Sequence, residues 1–378
     1  MASKRIMIIA GEASGDLHGS ALVREALTLD PNLQFFGIGG SLMRAQGVET
    51  LVDAREMAVV GLVEVIAHFP TIFRAFRKIE KILKQNPPDL LILIDYPDFN
   101  LRLAKIAKSA GVKVLYYISP QVWAWRVGRV KQIARIVDRM AVVFPFEVPF
   151  YEKEGLPVSF VGHPLVDSVR PTMSRDAAQS AFGLDPSRRT VGLFPGSRKQ
   201  EIRTHLPILL ESARLLKERF PELQFILPLA SSLERSDVAS FLENSGISVT
   251  LVEGKGYDVM QVCDAIISVS GTVTLEIALM GVPMVIIYRV SPLTYQAAKR
   301  LIRVDHVGIC NIVADRRVVR ELIQHEAKPE IILEEISRIL TDSTYADTIR
   351  SGLSEVRNRL GSGGCSTRVA EIVQEMLC

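Results

Sequence analysis

Ten short apolar runs recur along the chain, each followed by a stretch of helical periodicity, and this alternation constrains the fold more than any other feature. The runs cover 5–10, 33–38, 90–94, 113–118 and 140–144 in the first half, and 190–194, 224–228, 248–252, 265–269 and 284–288 in the second. Leu91-Ile92-Leu93-Ile94 and Ala265-Ile266-Ile267-Ser268-Val269 are apolar and rich in branched residues, as parallel strands buried on both faces are. Strands alternating with helices predict an α/β chain with two parallel sheets, helices covering both faces of each. The pattern breaks near Gly162-His163-Pro164-Leu165-Val166-Asp167, ahead of Arg170-Pro171 and a new helix capped at Ser174. That break divides the 378 residues into domains 1–168 and 169–343, each long enough for its own core. Residues 344–378 have helical periodicity but no strand partners, and are expected to pack as helices across the domains.

A net charge of +3 is too small to imply a nucleic-acid partner. Cys263, Cys310, Cys365 and Cys378 lack CxxC or Cys/His spacing, which argues against zinc and for a reducing cytosol. The first strand starts at Arg5, so no signal peptide is expected, and no apolar run is long enough to span a bilayer. Any membrane contact is expected to be peripheral.

Several strands end in turns suited to ligands. Ser270-Gly271-Thr272 joins the strand 265–269 to a helix begun by Leu275 and stopped by Gly281 and Pro283. Backbone N–H groups at such a helix start are unpaired, and the helix dipole favours anions there. Glu276, one turn further on, has the reach to hold the vicinal hydroxyls of a ribose. Gly196-Ser197-Arg198 repeats the arrangement after the strand 190–194, and an Arg fork at a helix N-terminus suits a diphosphate. In the first half, Gly11-Glu12-Ala13-Ser14-Gly15-Asp16 and Gly37-Ile38-Gly39-Gly40 form glycine turns, without the spacing of a dinucleotide or Walker motif. Asp95-Tyr96-Pro97-Asp98-Phe99-Asn100 places two carboxylates at the carboxyl end of the strand 90–94, where α/β sites form. A carboxylate base fits better than a metal pair: Asp98, held past the proline, is the expected chemical group, and Asp95 could equally be a structural cap.

Residues 57–84 carry apolar positions beside Arg74, Arg77, Lys78, Lys81 and Lys84. Pro70 is expected to divide the stretch into two helical pieces. For 72–83 the spacing fits a helix packed on the sheet with a solvated basic face. For 59–69, with Val60, Leu62, Val63, Ile66 and Phe69, apolar coverage is too broad for one core stripe, and an acyl-chain or membrane surface is the reading. Trp123-Ala124-Trp125-Arg126 fits a membrane interface or a phosphorylated lipid head group better than single-stranded nucleic acid.

Taken together, Gly11 to Asp16, Asp95 to Asn100, Ser119 to Arg126, Pro195 to Arg198, Ser270 to Thr272 with Glu276, and Tyr288-Arg289 resemble the lipid-A-disaccharide synthases, over nearly the whole chain. The resemblance implies a GT-B fold, two Rossmann-like domains with parallel sheets facing a central cleft. It implies an inverting transfer of 2,3-diacylglucosamine from UDP to the 6-hydroxyl of 2,3-diacylglucosamine 1-phosphate, in lipid A biosynthesis, without metal or other cofactor. In these terms Asp98 is the base. Gly196, Ser197, Arg198, Ser270, Gly271, Thr272, Glu276 and Asn311 hold the UDP-sugar, and Glu12, Ser14, Gly15, Asp16, Trp125 and Arg126 line the acceptor side. The implied location is the cytoplasmic face of a Gram-negative inner membrane, and a homodimer is left open. In that family the asparagine follows proline, whereas Asn311 follows Cys310; His18 has no family role and reads as an exposed helix residue.

Two other readings share features of the pattern. A UDP-N-acetylglucosamine 2-epimerase, or the lipid II glucosaminyltransferase, has the same fold and donor turn but lacks the Trp-Ala-Trp-Arg stretch. A peripheral membrane protein that binds nucleotide without chemistry would bind liposomes and release no UDP.

Overall fold

A computed structural model describes residues 3–57, 62–122, 127–291, 295–296 and 305–378, with the side chains of 62–69 and 127 left out. The chain forms two compact units: Met1–Pro164 with Gly361–Cys378, and Leu165–Leu360. The first holds the strands β1 (Arg5–Ala10), β2 (Gln34–Gly39), β3 (Glu49–Asp53), β4 (Leu90–Ile94), β5 (Lys113–Tyr117), β6 (Arg139–Val142) and β7 (Val158–Phe160) in a seven-stranded sheet of order β3-β2-β1-β4-β5-β6-β7. The second holds β8 (Thr190–Phe194), β9 (Gln224–Leu229), β10 (Val249–Glu253), β11 (Ala265–Val269), β12 (Met284–Tyr288) and β13 (Glu321–Ile323) in a six-stranded sheet of order β10-β9-β8-β11-β12-β13. Every pairing in both is parallel. Ten of these strands are the ten apolar runs, with ends moved by at most two residues.

The central strands β1 (Arg5–Ala10), β4 (Leu90–Ile94), β8 (Thr190–Phe194) and β11 (Ala265–Val269) are almost wholly buried. Each fully buried Leu or Ile there contributes about 1.5–3 kcal/mol. Three strands lack an apolar run: β3 (Glu49–Asp53), β7 (Val158–Phe160) and β13 (Glu321–Ile323). All three are sheet edges, with only Leu322 among them fully buried.

In each sheet the strand order reverses direction once, between β1 and β4 and between β8 and β11. At such a switch point the crossover helices leave to opposite faces, and a crevice opens at the carboxyl ends of the two strands. Four of the six motifs behind the family resemblance follow these four strands.

The C-terminal segment is divided between the units. The helix Ser343–Arg359 packs on the helices Val273–Met280 and Ile309–Ala314, where Arg357 donates to the carbonyl of Leu279 at 2.9 Å. The last helix, Cys365–Leu377, lies along Ala13–Leu29 in the first unit, and Arg368 donates to the carbonyl of Val161 at 2.9 Å.

The helix Leu62–Gln85 runs through Pro70 in one piece, contrary to the expected break. A proline forfeits one backbone bond, about 3 kcal/mol. Burial of Ala75, Ile79 and Leu83 anchors the second half while Arg74, Arg77, Lys78, Lys81 and Lys84 stay exposed. Phe73 is exposed on the same helix, under the Arg77 guanidinium. No helix among the described residues is long and apolar enough to cross a membrane.

Candidate active site

In the second unit, the loops after β8 and β11 open onto a cavity of about 690 Å³, the size of a small-molecule site. Gly196, Arg198, Ser270, Gly271, Tyr257 and Glu276 are among its lining residues. The N–H groups of Ser270 and Thr274 are taken, by Ile287 and Gly271. Among the described residues no partner takes those of Gly271, Thr272 and Val273. A Cβ added at Gly271 would meet nothing within 4 Å, and its φ is not positive, so glycine here serves open space rather than backbone geometry. The Ser270 hydroxyl donates to the carbonyl of Val307 at 3.0 Å and so does not face a ligand as a free group. Glu276 is largely buried, which raises its pKa, and it accepts the Tyr257 hydroxyl at 3.0 Å.

The other turn holds an anion of its own. The N–H groups of Ser197 and Arg198 donate to Glu201 Oε2 at 2.8 and 3.2 Å, and Arg198 Nη1 donates to Oε1 at 3.2 Å. Gly196 has φ +110°, and a Cβ there would come within 2.4 Å of Glu201 Oε2. The glycine therefore makes room for Glu201, which fills the nest expected to receive a phosphate. Lys199, beside it, pairs with Asp237 at 2.9 Å.

Asn311 is fully buried with both ends of its amide used. Nδ2 donates to Val319 O and Glu321 Oε1 at 2.9 and 2.7 Å, while Oδ1 accepts from Val318 N and Val319 N at 2.8 and 3.0 Å. The expected contact between Asn311 and the donor is corrected: the side chain has no capacity left and ties the helix Ile309–Ala314 to β13.

In the first unit, Asp95 and Tyr96 follow β4 with φ of 45° and 49°, a left-handed pair costing about 1–3 kcal/mol each in non-glycine residues. Surrounding groups hold the strain in place. The Asp95 carbonyl accepts Asn100 Nδ2 and the Tyr116 hydroxyl, both at 2.6 Å, and the Tyr96 hydroxyl donates to Met57 O at 3.2 Å. Gly11 is required beneath the Tyr96 ring, because a Cβ would approach it to 2.7 Å. Burial, then the Glu12 charge, raises the Asp95 carboxyl to about 6. Asp98, by contrast, is 84% exposed on the first turn of Pro97–Ser109 and meets Arg129 at 3.4 Å. Burial and a neighbouring charge thus tune the carboxyl of Asp95, while Asp98, the expected base, stands in the open.

The remaining first-unit residues separate by role. Glu12 and Ser14 are exposed at the start of Ala13–Leu29, and Gly15 lets that helix sit on Ala10, 3.2 Å from an added Cβ. Asp16 is corrected from a ligand-facing residue to an internal cap. Its oxygens accept the N–H groups of Gly40, Leu42 and Met43 at 2.7, 3.0 and 3.1 Å, at the start of the helix Ser41–Ala45. His18 is also corrected: it is partly buried against Tyr117, and desolvation lowers its pKa to about 4. Val60, Trp125 and Arg126 lie outside the described residues. Leu62, Val63, Ile66 and Phe69 fall on the helix Leu62–Gln85, their side chains not described.

Two Rossmann-type units, one with a nucleotide-sized pocket at its switch point, define the class: a GT-B-type α/β protein. Solved structures agree on the fold. The UDP-GlcNAc 2-epimerase of Neisseria meningitidis bound to UDP-GlcNAc matches with a TM-score of 0.63 at 13% identity, covering 98% of this chain and 99% of that one. The glycotransferase of kitacinnamycin matches at 0.63 and 14%, covering all of both. Sequence separates these possibilities. The model of the lipid-A-disaccharide synthetase family matches residues 6–373. The lipid-A-disaccharide synthase of Geobacter metallireducens is 70% identical over 99% of this chain and 98% of its own, and that of Geobacter sulfurreducens 69% identical over the same shares. The chain belongs to the lipid-A-disaccharide synthase family of glycosyltransferases.

Proposed function

We propose that this chain transfers 2,3-diacylglucosamine from UDP to the 6-hydroxyl of 2,3-diacylglucosamine 1-phosphate, with inversion, giving the β-1,6-linked disaccharide 1-phosphate and UDP. The observation that carries this reading is the second-unit pocket, where open N–H groups, an Arg turn and a buried carboxylate surround one nucleotide-sized space. The N–H groups of Gly271, Thr272 and Val273 hold the diphosphate, and Glu276 holds the ribose. Arg198 joins them once the diphosphate takes over its bonds from Glu201.

Inversion needs one in-line displacement. The acceptor O6 loses its proton to Asp95 as it bonds to the anomeric carbon, and the bond from that carbon to the diphosphate oxygen breaks, UDP leaving with the electron pair. The transition state is oxocarbenium-like, as in glycoside hydrolysis. A carboxylate is a weak base toward a sugar hydroxyl, so proton transfer accompanies bond formation. Charge growing on the leaving diphosphate meets donors already in position, each contributing roughly 3 kcal/mol by analogy with oxyanion holes. Glu12, exposed and close enough to raise the Asp95 carboxyl, keeps the base strong. Asp98 is the alternative base.

Acyl chains gain about 0.8 kcal/mol per buried CH₂, and the stretch from Val60 to Phe69 is the proposed surface for them at the inner membrane. The test mixes the protein with UDP-2,3-diacylglucosamine and the 1-phosphate acceptor and measures UDP and disaccharide. Both should appear, and only with both lipids present. No turnover under those conditions would reject the transferase reading, and conversion of the UDP-sugar without acceptor would favour an epimerase.

A further inference from the structure

Tyr257 lies at the start of the helix Gly256–Val262, and Glu276 in the first turn of the helix Val273–Met280. Its hydroxyl donates to Glu276 Oε1 at 3.0 Å, and both residues line the cavity. No other hydrogen bond to Glu276's side chain occurs among the described residues. One carboxylate oxygen is therefore fixed by the protein and the other left open. A largely buried carboxylate without a hydrogen-bond partner has two weaknesses as a receptor for hydroxyl groups. Burial favours its protonated form, which loses acceptor capacity. An unfixed side chain also spends binding energy on being ordered. A hydrogen bond from a neutral donor to one oxygen corrects both: it favours the charged form and sets the carboxylate plane.

We infer that the Tyr257 hydroxyl is a positioning group that holds Glu276 as a fixed acceptor, and through it sets the preference of this pocket for a nucleotide that carries its ribose hydroxyls over one that lacks them. The inference rests on the donor-site reading above and adds a residue that the sequence motifs did not contain. Tyr257 itself touches Glu276 and leaves contact with the sugar hydroxyls to it. A site built to receive a hydroxyl rejects the analogue lacking it strongly, because its own buried group is left without a partner.

The experiment titrates UDP and 2′,3′-dideoxy-UDP into the wild-type protein, Tyr257→Phe and Glu276→Gln, with thermal unfolding of each as a check on folding. Wild type should prefer UDP. Tyr257→Phe should weaken UDP about tenfold and leave the dideoxy analogue unchanged. In turnover it should raise KM for the UDP-sugar with kcat held. Glu276→Gln should remove the same discrimination, and the double variant should be no worse than Glu276→Gln alone. Equal weakening of both nucleotides by Tyr257→Phe would show a role other than positioning Glu276 for the ribose, as would no weakening of either, and each overturns the inference. If the wild-type protein binds UDP without preferring it to the dideoxy analogue, the inference falls while the donor site stands. If it binds neither, the donor-site reading falls first.

Discussion

Asp95→Asn is predicted to move rate and stability in opposite directions. The Asp95 carboxyl titrates near 6 in the folded protein against an ordinary 3.8, mainly because it is desolvated. A difference of that size corresponds to about 3 kcal/mol between its protonation states. The sign follows from proton binding. Between pH 4 and 6 the folded state holds a proton that the unfolded chain has released, so stability falls as pH rises through this window. Above about pH 6 the full cost of the buried charge is present, and below about pH 4 it is gone. Asparagine keeps the shape and one acceptor oxygen without the charge. At pH 8 the variant should therefore be more stable than wild type by up to about 3 kcal/mol, and at pH 4 the two should coincide. For a unit of this size that is a rise on the order of 5–10 °C in the first unit's unfolding transition, less in high salt because the Glu12 contribution is screened.

Turnover should fall by about 10²–10⁴, the range expected for loss of a general base, while UDP still binds the other unit. In wild type, kcat/KM should decline on the acid side with a midpoint near 6. UDP release, measured from pH 4 to 9 beside thermal unfolding at pH 4 and 8, decides the matter. Near-normal turnover in Asp95→Asn with a large loss in Asp98→Asn would return the base to Asp98. An absence of stabilisation at pH 8 would refute the claim that the Asp95 carboxylate is held against its preference.

Two further substitutions follow from the second unit. Glu201→Gln removes the charge that competes for Arg198 and the turn N–H groups; because Arg198 is 69% exposed the effect is modest, and UDP should bind severalfold more tightly by calorimetry. Weaker UDP binding in that variant would mean that Glu201 organises the turn and is never displaced. Asn311→Ala strands backbone groups of Val318 and Val319 in the core and should cost about 3 kcal/mol in urea unfolding, with UDP affinity retained in the folded fraction. The opposite pattern, intact stability with lost UDP binding, would restore Asn311 to the ligand.

Different physical information separates what the sequence made readable from what it did not. The central strands were readable because a parallel strand covered on both faces must be apolar throughout, as Leu90 to Ile94 is. Glu49-Thr50-Leu51-Val52-Asp53 and Glu321-Leu322-Ile323 were not, because an edge strand is only half covered and keeps polar residues. The site turns were readable as places, since Gly, Ser and Arg at strand ends encode a local geometry. Which side chain in a turn faces a ligand depends on partners distant in sequence. Asp16 looked free until Gly40, Leu42 and Met43 were brought to it, 24 to 27 residues on. Asp95 and Asp98 stand three positions apart with the same side chain, and nothing local distinguishes the one that is desolvated. Tyr116, from β5, and Asn100 fix the Asp95 carbonyl and so sustain the left-handed pair that ends β4. The strained backbone leaves Asp95 desolvated beside Glu12 and Asp98 in water. The proposed base owes its raised pKa to that desolvation, and desolvation is a property of the assembled sheet.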